Sequence, residues 1–233
     1  MKILVFDLKG DVAHFRRPDT TATHASYPFI TRSALRGLLG SVLGLPEFLG
    51  EGWAGIELLS PVKTSVQELS LLGKGFLGSG AAFNRPTAIE LVVQPHYRIY
   101  YHGDYQEELT RFIAAGKSIY HTYLGSAFAL TVPRFVDIID CTELYLHQLQ
   151  DYLPTIGVVP THIIKKLHLK PGAQYARVGG MQYEYLGERR FRGTINLVWE
   201  VNGNQVIFLP TSNTEGPPVK VVRLPSKEVI ILW

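Results

Sequence analysis

The sequence predicts an α+β protein, and three observations support that class. An apolar run at residues 3–8, stopped by Gly10, is too short for a helix and indicates a buried central strand. Apolar residues at helical spacing come later and predict an amphipathic helix. From Val136 onward, short apolar runs alternate with turn residues, which is typical of β structure.

The first helix is expected between Thr31 and Gly44. Thr31 can cap its amino terminus, and Gly44 with Pro46 ends it. Its apolar stripe consists of Leu35, Leu38, Leu39, Val42 and Leu43. Gly37 and Gly40 are unusual inside a helix, where each costs about 1 kcal/mol relative to alanine. Such glycines indicate close approach by another group.

Positive side chains alternate with aromatic rings between the first strand and the helix. The cations and histidines are Lys9, His14, Arg16, Arg17, His24 and Arg32, and the rings are Phe15, Tyr27 and Phe29. Cations bind phosphates and rings stack on bases, so the pattern suits a single-stranded polyanion. In the helix, Arg32 and Arg36 repel by about 0.2–0.5 kcal/mol unless an anion lies between them. The alternative is that the arginines are solvated and the rings belong to the core.

Two long strands are predicted over 62–72 and 89–102, on either side of an insert at 71–86. The insert has no acidic residue and reads LLGKGFLGSGAAFNRP. It matches G-x-G-x-x-G, but no helix can follow through Pro86, so a dinucleotide site is excluded. A hairpin tip is the better interpretation, and a surface loop that touches a neighbouring protein is the alternative.

A second helix is predicted over 105–115, with Asp104 as its cap and Gly116 at its end. A fourth strand is expected over 126–132. The order strand, helix, strand, strand, helix, strand is that of a ferredoxin-like unit. Such an RRM-like sheet is a common platform for single-stranded RNA, although a fold alone does not establish function.

The chain is expected to divide into an RRM-like domain over residues 1–135 and a small β-rich subdomain over residues 136–233. Within the latter, Asn-Gly-Asn at 202–204 predicts a hairpin turn. A second basic and aromatic cluster lies here, formed by Arg177, Arg189, Arg190 and Arg192 with Tyr175, Tyr183, Tyr185 and Phe191. Binding to RNA, binding to a neighbouring subunit and a solvated turn all remain open for this cluster.

Composition narrows the cellular setting. The net charge is only +3, but residues 1–44 hold six Lys and Arg against three Asp, and residues 151–233 hold ten against six acids. Residues 45–150 are acidic, with seven Lys and Arg against eleven Asp and Glu. The charge is therefore segregated along the chain, which favours a basic face. The single cysteine, Cys141, excludes an intramolecular disulfide. Without a membrane-length apolar run or a signal peptide, the protein is expected in the cytoplasm, with no membrane partner.

The sequence predicts no metal, no cofactor and no catalytic residue. The eight histidines are scattered, and no H-E-x-x-H, C-x-x-C or G-x-S-x-G motif occurs. Metal-independent RNA cleavage by general acid and base groups stays open, because the 2′-hydroxyl of RNA is its own nucleophile. His14, Tyr27, Lys117 and His121 could serve if they converge in space.

Four motifs precede Gly44: F-D-L-x-G-D at the strand end, H-F-R-x-P in a turn, T-T-x-x-x-x-x-Y-P-F in a loop and R-x-x-L-x-G-L-L-G in the helix. A further motif, Y-L-G-S, lies at 123–126. Together they resemble the signature of CRISPR-associated protein family five, small RAMP-superfamily subunits of type I Cascade complexes. The resemblance is strongest through residue 44, reappears at 85–103 and 123–126, and is weak beyond.

This resemblance implies a non-catalytic subunit, most like the type I-B branch, that binds the 5′ handle of the crRNA. Its partners would be the backbone and large subunits of Cascade, with target DNA met through the assembled complex. It also implies a protruding hairpin thumb near 71–88. The implied RNA-binding residues are Lys9, His14, Arg16, Arg17, His24, Tyr27, Arg32, Arg36, Lys74, Phe76, Phe83 and Arg85.

Phosphate capture is expected from Arg16, Arg17, Arg32 and Arg36, near the start of the helix, where free amides favour anions. The alternative is an endoribonuclease that processes CRISPR repeat RNA. One branch of the resembling family does so with an adjacent Lys-His pair. This sequence contains no Lys-His dipeptide.

Overall fold

The computed structural model describes residues 1–20, 23–73, 83–211 and 215–233. The elements of the first part of the chain are β1 (Lys2–Lys9), β2 (Val12–Ala13), β3 (Phe15–Arg16), β4 (Ser26–Tyr27), α1 (Arg32–Leu43), β5 (Gly52–Leu58), β6 (Thr64–Gly73), β7 (Phe83–Val93), β8 (His96–Gly103), α2 (Gln106–Ala114) and β9 (Arg134–Asp140). Those that follow are β10 (Thr142–Leu144), β11 (Leu153–Ile156), β12 (Val159–Pro160), β13 (Ile164–His168), β14 (Tyr175–Tyr185), β15 (Phe191–Glu200), β16 (Val206–Pro210), β17 (Lys220–Arg223) and β18 (Val229–Leu232).

The central sheet has the strand order β5-β8-β1-β9, and its neighbouring strands are antiparallel. With α1 and α2, its elements follow the order β-α-β-β-α-β. Alternate residues of β1, namely Leu4, Phe6 and Leu8, are buried in the same core cluster as Leu35 and Leu39 of α1. The predicted α+β class is confirmed.

The first helix begins and ends where the sequence predicts. The Thr31 hydroxyl accepts a hydrogen bond from the Ala34 amide at 3.1 Å, and Gly44 closes the helix with φ 75°. The predicted cap of α2 is wrong. Tyr105 precedes that helix with φ 60°, and the Asp104 carboxylate instead accepts from the Glu51 amide at 2.9 Å. Within the described residues, neither helix is long and apolar enough to cross a membrane.

The fourth strand was expected over 126–132 and lies instead at β9, Arg134–Asp140. The earlier segment folds back on itself, because the Leu124 amide donates to the Ala129 carbonyl at 2.8 Å. Leu130 and Val132, which made that segment resemble a strand, are both exposed.

The second face of the central sheet is largely covered by the last strands of the chain. Ile3 and Val5 of β1 form a second core cluster with Ile230 and Leu232 of β18. Trp233 also exchanges two backbone hydrogen bonds with Ala54 of β5, at 3.0 and 3.2 Å. The two halves of the chain therefore share a core. The division between residues 135 and 136 stays a prediction, and β9 runs across that position.

Residues after β9 form a six-stranded sheet of order β10-β17-β18-β11-β16-β13 and a three-stranded sheet of order β12-β15-β14. The hairpin predicted at 202–204 is wrong, because β15 and β16 belong to different sheets. The carboxylate of Glu200, which is 1% exposed, instead accepts from the backbone amides of Gln174, Asn202 and Asn204.

An arm is formed by β6 and β7, which pair without interruption from Thr64 opposite Val92 to Gly73 opposite Phe83. Val66 on this arm is 65% exposed. The predicted thumb includes this arm, but residues 74–82 at its tip lie outside the described residues.

Candidate nucleic-acid interface

A cleft of about 640 Å³ opens along the outer side of α1. Its walls are the β3–β4 pair, the loop after α1, the turn at 120–125 and the β14–β15 hairpin. Seven aromatic rings contribute to the lining. The lining residues include Phe15, Tyr27, Phe48, Tyr120, Tyr123, Tyr185 and Phe191, with Arg16, Arg36 and Glu47 as the charged members.

The floor of the cleft is a face of α1 on which most side chains are small, with Arg36 at its edge. Ser33, Ala34, Gly37 and Ser41 line it, and a Cβ added at Gly37 would meet nothing within 4 Å. Gly40 differs, because a Cβ there would lie 3.4 Å from the Leu45 carbonyl oxygen. The expected close approach is therefore made at Gly40 by the following loop, whereas Gly37 leaves open space.

Two rings at the turn after α2 face the cleft and remain accessible. Tyr120 is 59% exposed and Tyr123 is 42% exposed. Phe15 and Tyr27 lie on the opposite wall and are nearly buried. Accessible rings beside a polar, open floor allow bases to stack without requiring a particular sequence.

Arg16 and Arg17 lie at the β3–β4 end of the cleft. Arg16 is exposed, with its guanidinium 3.5 Å from the Thr20 carbonyl oxygen. Arg17 pairs with Asp19 at 2.7 Å and lies 5.8 Å from the centre of the Tyr27 ring. The hydrogen bond that Arg17 donates to the Asp19 carboxylate raises the pKa of Arg17. An exposed guanidinium with one weak partner is available for a phosphate, and Arg16 meets that description best.

Arg32 and Arg36 have a different role from the one their spacing suggested. Arg32 donates to the main-chain oxygen of Trp233 and, at 2.7 Å, to that of Gly52. Arg36 donates to the Gly50 carbonyl at 2.6 Å. Main-chain oxygens accept from the terminal nitrogens of both guanidinium groups, and the Nε of Arg32 is buried without a hydrogen-bond partner.

Arg32 is only 9% exposed, and its guanidinium lies 4.8 Å from the centre of the Tyr183 ring. Burial lowers the pKa of Arg32. Phosphate capture does not fit this burial, and we correct that expectation for Arg32. Arg36 is held by the loop after α1 but still lines the cleft.

The two histidines of the predicted set lie behind the cleft wall. His14 is 5% exposed and donates from Nδ1 to the Glu90 carbonyl at 2.9 Å. Its ring stacks on that of His24, with 6.4 Å between centroids. Gly125 of the Y-L-G-S motif packs against the His14 carbonyl, where a Cβ would lie 2.2 Å away. These residues fix the wall. Their direct contact with RNA stays a prediction.

Of the remaining predicted residues, Lys9 is the one that the structure describes in full, and it is not brought into the cleft. Lys9 is exposed at the end of β1 and is absent from the lining. Phe83 and Arg85 lie on β7, but their side chains are outside the described part of the structure. Lys74 and Phe76 lie entirely outside the described residues.

The β14–β15 hairpin contributes functional residues that the predicted site set omitted. Tyr185 donates to the Glu47 carboxylate at 2.6 Å, and the Glu188 amide donates to the same carboxylate at 3.1 Å. These bonds hold the hairpin against the loop after α1, and Phe191 completes the wall. The basic and aromatic composition of this region was visible in the sequence, but its position beside α1 was not.

The open end of the second face of the central sheet carries charges instead of rings. Glu57, Arg98, Asp7 and Arg134 lie opposite one another on the four adjacent strands. Arg98 donates to both oxygens of Asp7, at 2.8 and 3.0 Å, and this bond raises the pKa of Arg98. This ladder of alternating charge offers no base-stacking platform. Among the described residues, no group of three or more His, Cys, Asp and Glu could hold a metal ion.

Comparison with known proteins gives the family. Residues 3–111, which include α1 and the β3–β4 wall, match the family model described as CRISPR-associated protein (Cas_Cas5). Over this stretch the chain is similar to the CRISPR-associated Cas5 family. The resemblance seen in the motifs before Gly44 is thereby confirmed. A search of curated proteins found no match.

Solved structures share the fold of this chain. A CRISPR protein from Archaeoglobus fulgidus is 12% identical with a TM-score of 0.54, over 99% of this chain and 98% of that one. A chain of a CRISPR RNA-guided surveillance complex is 14% identical with a TM-score of 0.50, over 92% and 94%. At such low identity these similarities establish the fold alone. They extend the likeness beyond residue 111 to nearly the whole chain.

Proposed function

We propose that this protein is a subunit of a type I CRISPR surveillance complex that binds the 5′ handle of the crRNA and does not cleave it. The observation that supports this most is the ring-lined cleft over the open face of α1, built largely by the half of the chain that matches the Cas5 family. Its rings suit unpaired bases, and Arg16 at its edge suits a phosphate. The shared fold with a chain of a CRISPR RNA-guided surveillance complex is consistent with this role.

Roles within the site follow from exposure. Arg16 and Arg17 bind phosphates, and Tyr120 and Tyr123 stack on bases, with Tyr27 behind Arg17. Arg36 positions the loop after α1, and His14 and His24 support the wall. Lys9 binds RNA outside the cleft.

The arm formed by β6 and β7 is the base of the proposed thumb on an RRM-like unit. Its tip would place Lys74, Phe76, Phe83 and Arg85 against the RNA backbone. The subunit docks the backbone and large subunits in the cytoplasm, most like the type I-B branch, and meets target DNA through the assembled complex. It works without a catalytic residue or a metal of its own.

The test uses the purified full chain with end-labelled CRISPR repeat RNA in EDTA at two salt concentrations, with binding and cleavage followed on the same samples. We expect binding that depends on the handle and weakens with salt, while the RNA stays intact. Arg16→Glu with Tyr123→Ala should weaken binding about tenfold or more, because a phosphate contact and a stacked base are lost. Lys2→Glu, on an exposed residue outside the cleft, is the control.

Two results would contradict the proposal. If the wild-type chain shows no preference for RNA that carries the handle, the cleft is not a handle-binding site. Site-specific cleavage in EDTA, abolished by His14→Ala or His121→Ala, would support the endoribonuclease alternative, with Tyr27 and Lys117 as further acid and base groups.

A further inference from the structure

A second basic and aromatic surface lies at one end of the six-stranded sheet. β13 ends at His168, and Lys166, two residues earlier, lies on the same side of this edge strand. Lys170 follows in the turn beyond the strand, and all three side chains are exposed. None of the three lines the cleft over α1.

An exposed tyrosine continues this surface across the sheet. Tyr152 lies just before β11 and is 42% exposed. Its ring centroid lies 5.5 Å from that of His168, with an angle of 65° between the planes. Leu153 and Leu167 both lie opposite Phe208 of β16, so the two rings meet over that strand.

Two more cations lie on the far side of Tyr152. Arg223, at the end of β17, and Lys227, in the following turn, line a cleft of about 320 Å³ with Tyr152 and Asp151. We call the set Lys166, His168, Lys170, Tyr152, Arg223 and Lys227 the rim. In the described part of the chain, no ion pair involves Lys166, Lys170, Arg223 or Lys227.

Protection of a sheet edge explains only part of the rim. Lysine on an edge strand discourages pairing with another chain, and this would account for Lys166 on β13. Arg223 and Lys227 do not guard that edge, because three strands separate β17 from β13. Nor does edge protection require the accessible ring of Tyr152 between the two groups of cations.

We propose that the rim is a second binding surface for single-stranded nucleic acid, separate from the cleft over α1. The cations bind phosphates on both sides while Tyr152 and His168 offer ring faces to bases. Four strand spacings separate β13 from β17, which is about 19 Å. At about 3.4 Å per stacked nucleotide, this length accommodates about five nucleotides.

The test is fluorescence anisotropy of the full chain with a labelled oligo-uridine of about ten nucleotides, a length within the usual site size of such surfaces. Lys166→Glu with Lys170→Glu should weaken binding about tenfold and reduce the slope of log affinity against log salt by about 1.4, for two phosphate contacts. Tyr152→Ala should weaken binding about tenfold, whereas Tyr152→Phe, which keeps the ring, should restore it.

The matched control is Lys2→Glu with Lys63→Glu, which makes the same change in net charge at exposed lysines elsewhere. Equal weakening in this control would show a general effect of charge and overturn the proposal. Unchanged binding in the Lys166 and Lys170 double variant would overturn it as well.

A second background separates the rim from the cleft. The double variant Arg16→Glu with Tyr123→Ala should still bind oligo-uridine. This binding should be lost when Lys166 and Lys170 are also replaced by glutamate. If no binding persists in the cleft variant, the rim is not an independent site. If the cleft variant retains full preference for the handle, the proposed function fails while the proposal for the rim stands.

Discussion

Arg32, at the start of α1, donates a hydrogen bond to the main-chain oxygen of Trp233, which lies 201 residues later in the chain. Its second terminal nitrogen donates to Gly52 at the start of β5. One buried guanidinium therefore joins the first helix, an edge strand of the central sheet and the residue after β18. This explains why a charged residue is tolerated where it is 9% exposed.

Replacing Arg32 should destabilise the fold. In Arg32→Leu, two buried carbonyl oxygens lose their donor, and the free energy of unfolding should fall by about 2–4 kcal/mol. Urea denaturation measures this difference. Arg134→Leu, at an exposed position of β9, is the control and should change stability by less than about 0.5 kcal/mol. Unchanged stability in Arg32→Leu, together with weaker RNA binding, would assign Arg32 to the RNA after all.

Two substitutions at Gly37 test the stability of α1 and the open space in the cleft separately. Gly37→Ala should stabilise the protein by about 0.5–1 kcal/mol, because alanine favours a helix and its Cβ meets nothing within 4 Å. Gly37→Phe should fold but place a ring over the helix floor and weaken handle binding about tenfold, as for one lost stacked base. Thermal denaturation and anisotropy measure the two effects. Normal binding by Gly37→Phe would argue against RNA in this cleft.

Glu200 should make stability depend on pH. Burial alone would raise the pKa of Glu200, but the amides of Asn204, Gln174 and Asn202 outweigh burial and hold the pKa below its ordinary value. Folding therefore favours the ionised form. This contribution is complete above the unfolded pKa of about 4.3 and is lost as pH falls through the lower folded value.

Glu200→Gln tests this contribution. At neutral pH the variant should be less stable by about 2 kcal/mol, because the amide group of glutamine cannot accept all of these bonds. The difference should shrink as pH falls through the folded pKa of Glu200. Denaturation at several pH values measures it, with Glu68→Gln on the exposed arm as control. A difference that stays constant with pH would exclude ionisation as its source.

The bond between Tyr185 and Glu47 should affect RNA binding more than stability. Both groups are accessible, so Tyr185→Phe should leave the melting temperature almost unchanged. Because the bond fixes the hairpin that walls the cleft, handle affinity should fall about threefold. In a double-mutant cycle, Glu47→Gln should add nothing to Tyr185→Phe. Additive losses would mean that the two side chains act separately.

Local patterns predicted α1 well because its determinants are local. The Thr31 cap, the leucine stripe and the αL glycine at position 44 act within a few residues of one another. The fourth strand was misplaced because β9 is an edge strand with nearly every residue exposed, so no alternation marks it. Residues 126–132 are more apolar, yet Leu130 and Val132 face outward.

The site was predictable only in part for a similar reason. Residues near one another in sequence, such as Arg16 and Tyr27, were assigned to one surface and do lie at one cleft. The partners of Arg32 are backbone carbonyls of remote strands, which no sequence pattern indicates. Tyr185 and Phe191 likewise reach the cleft only through the packing of β14 and β15 beside α1.

Because β18 covers one face of the central sheet, the strands that follow the first domain-sized stretch cannot be deleted without exposing that face. A gene that kept only the stretch matching the family model would leave Ile3, Val5 and Tyr100 facing water, and its product would be expected to aggregate. Strands β1 and β18 must be inherited together, because the side chains of each cover those of the other.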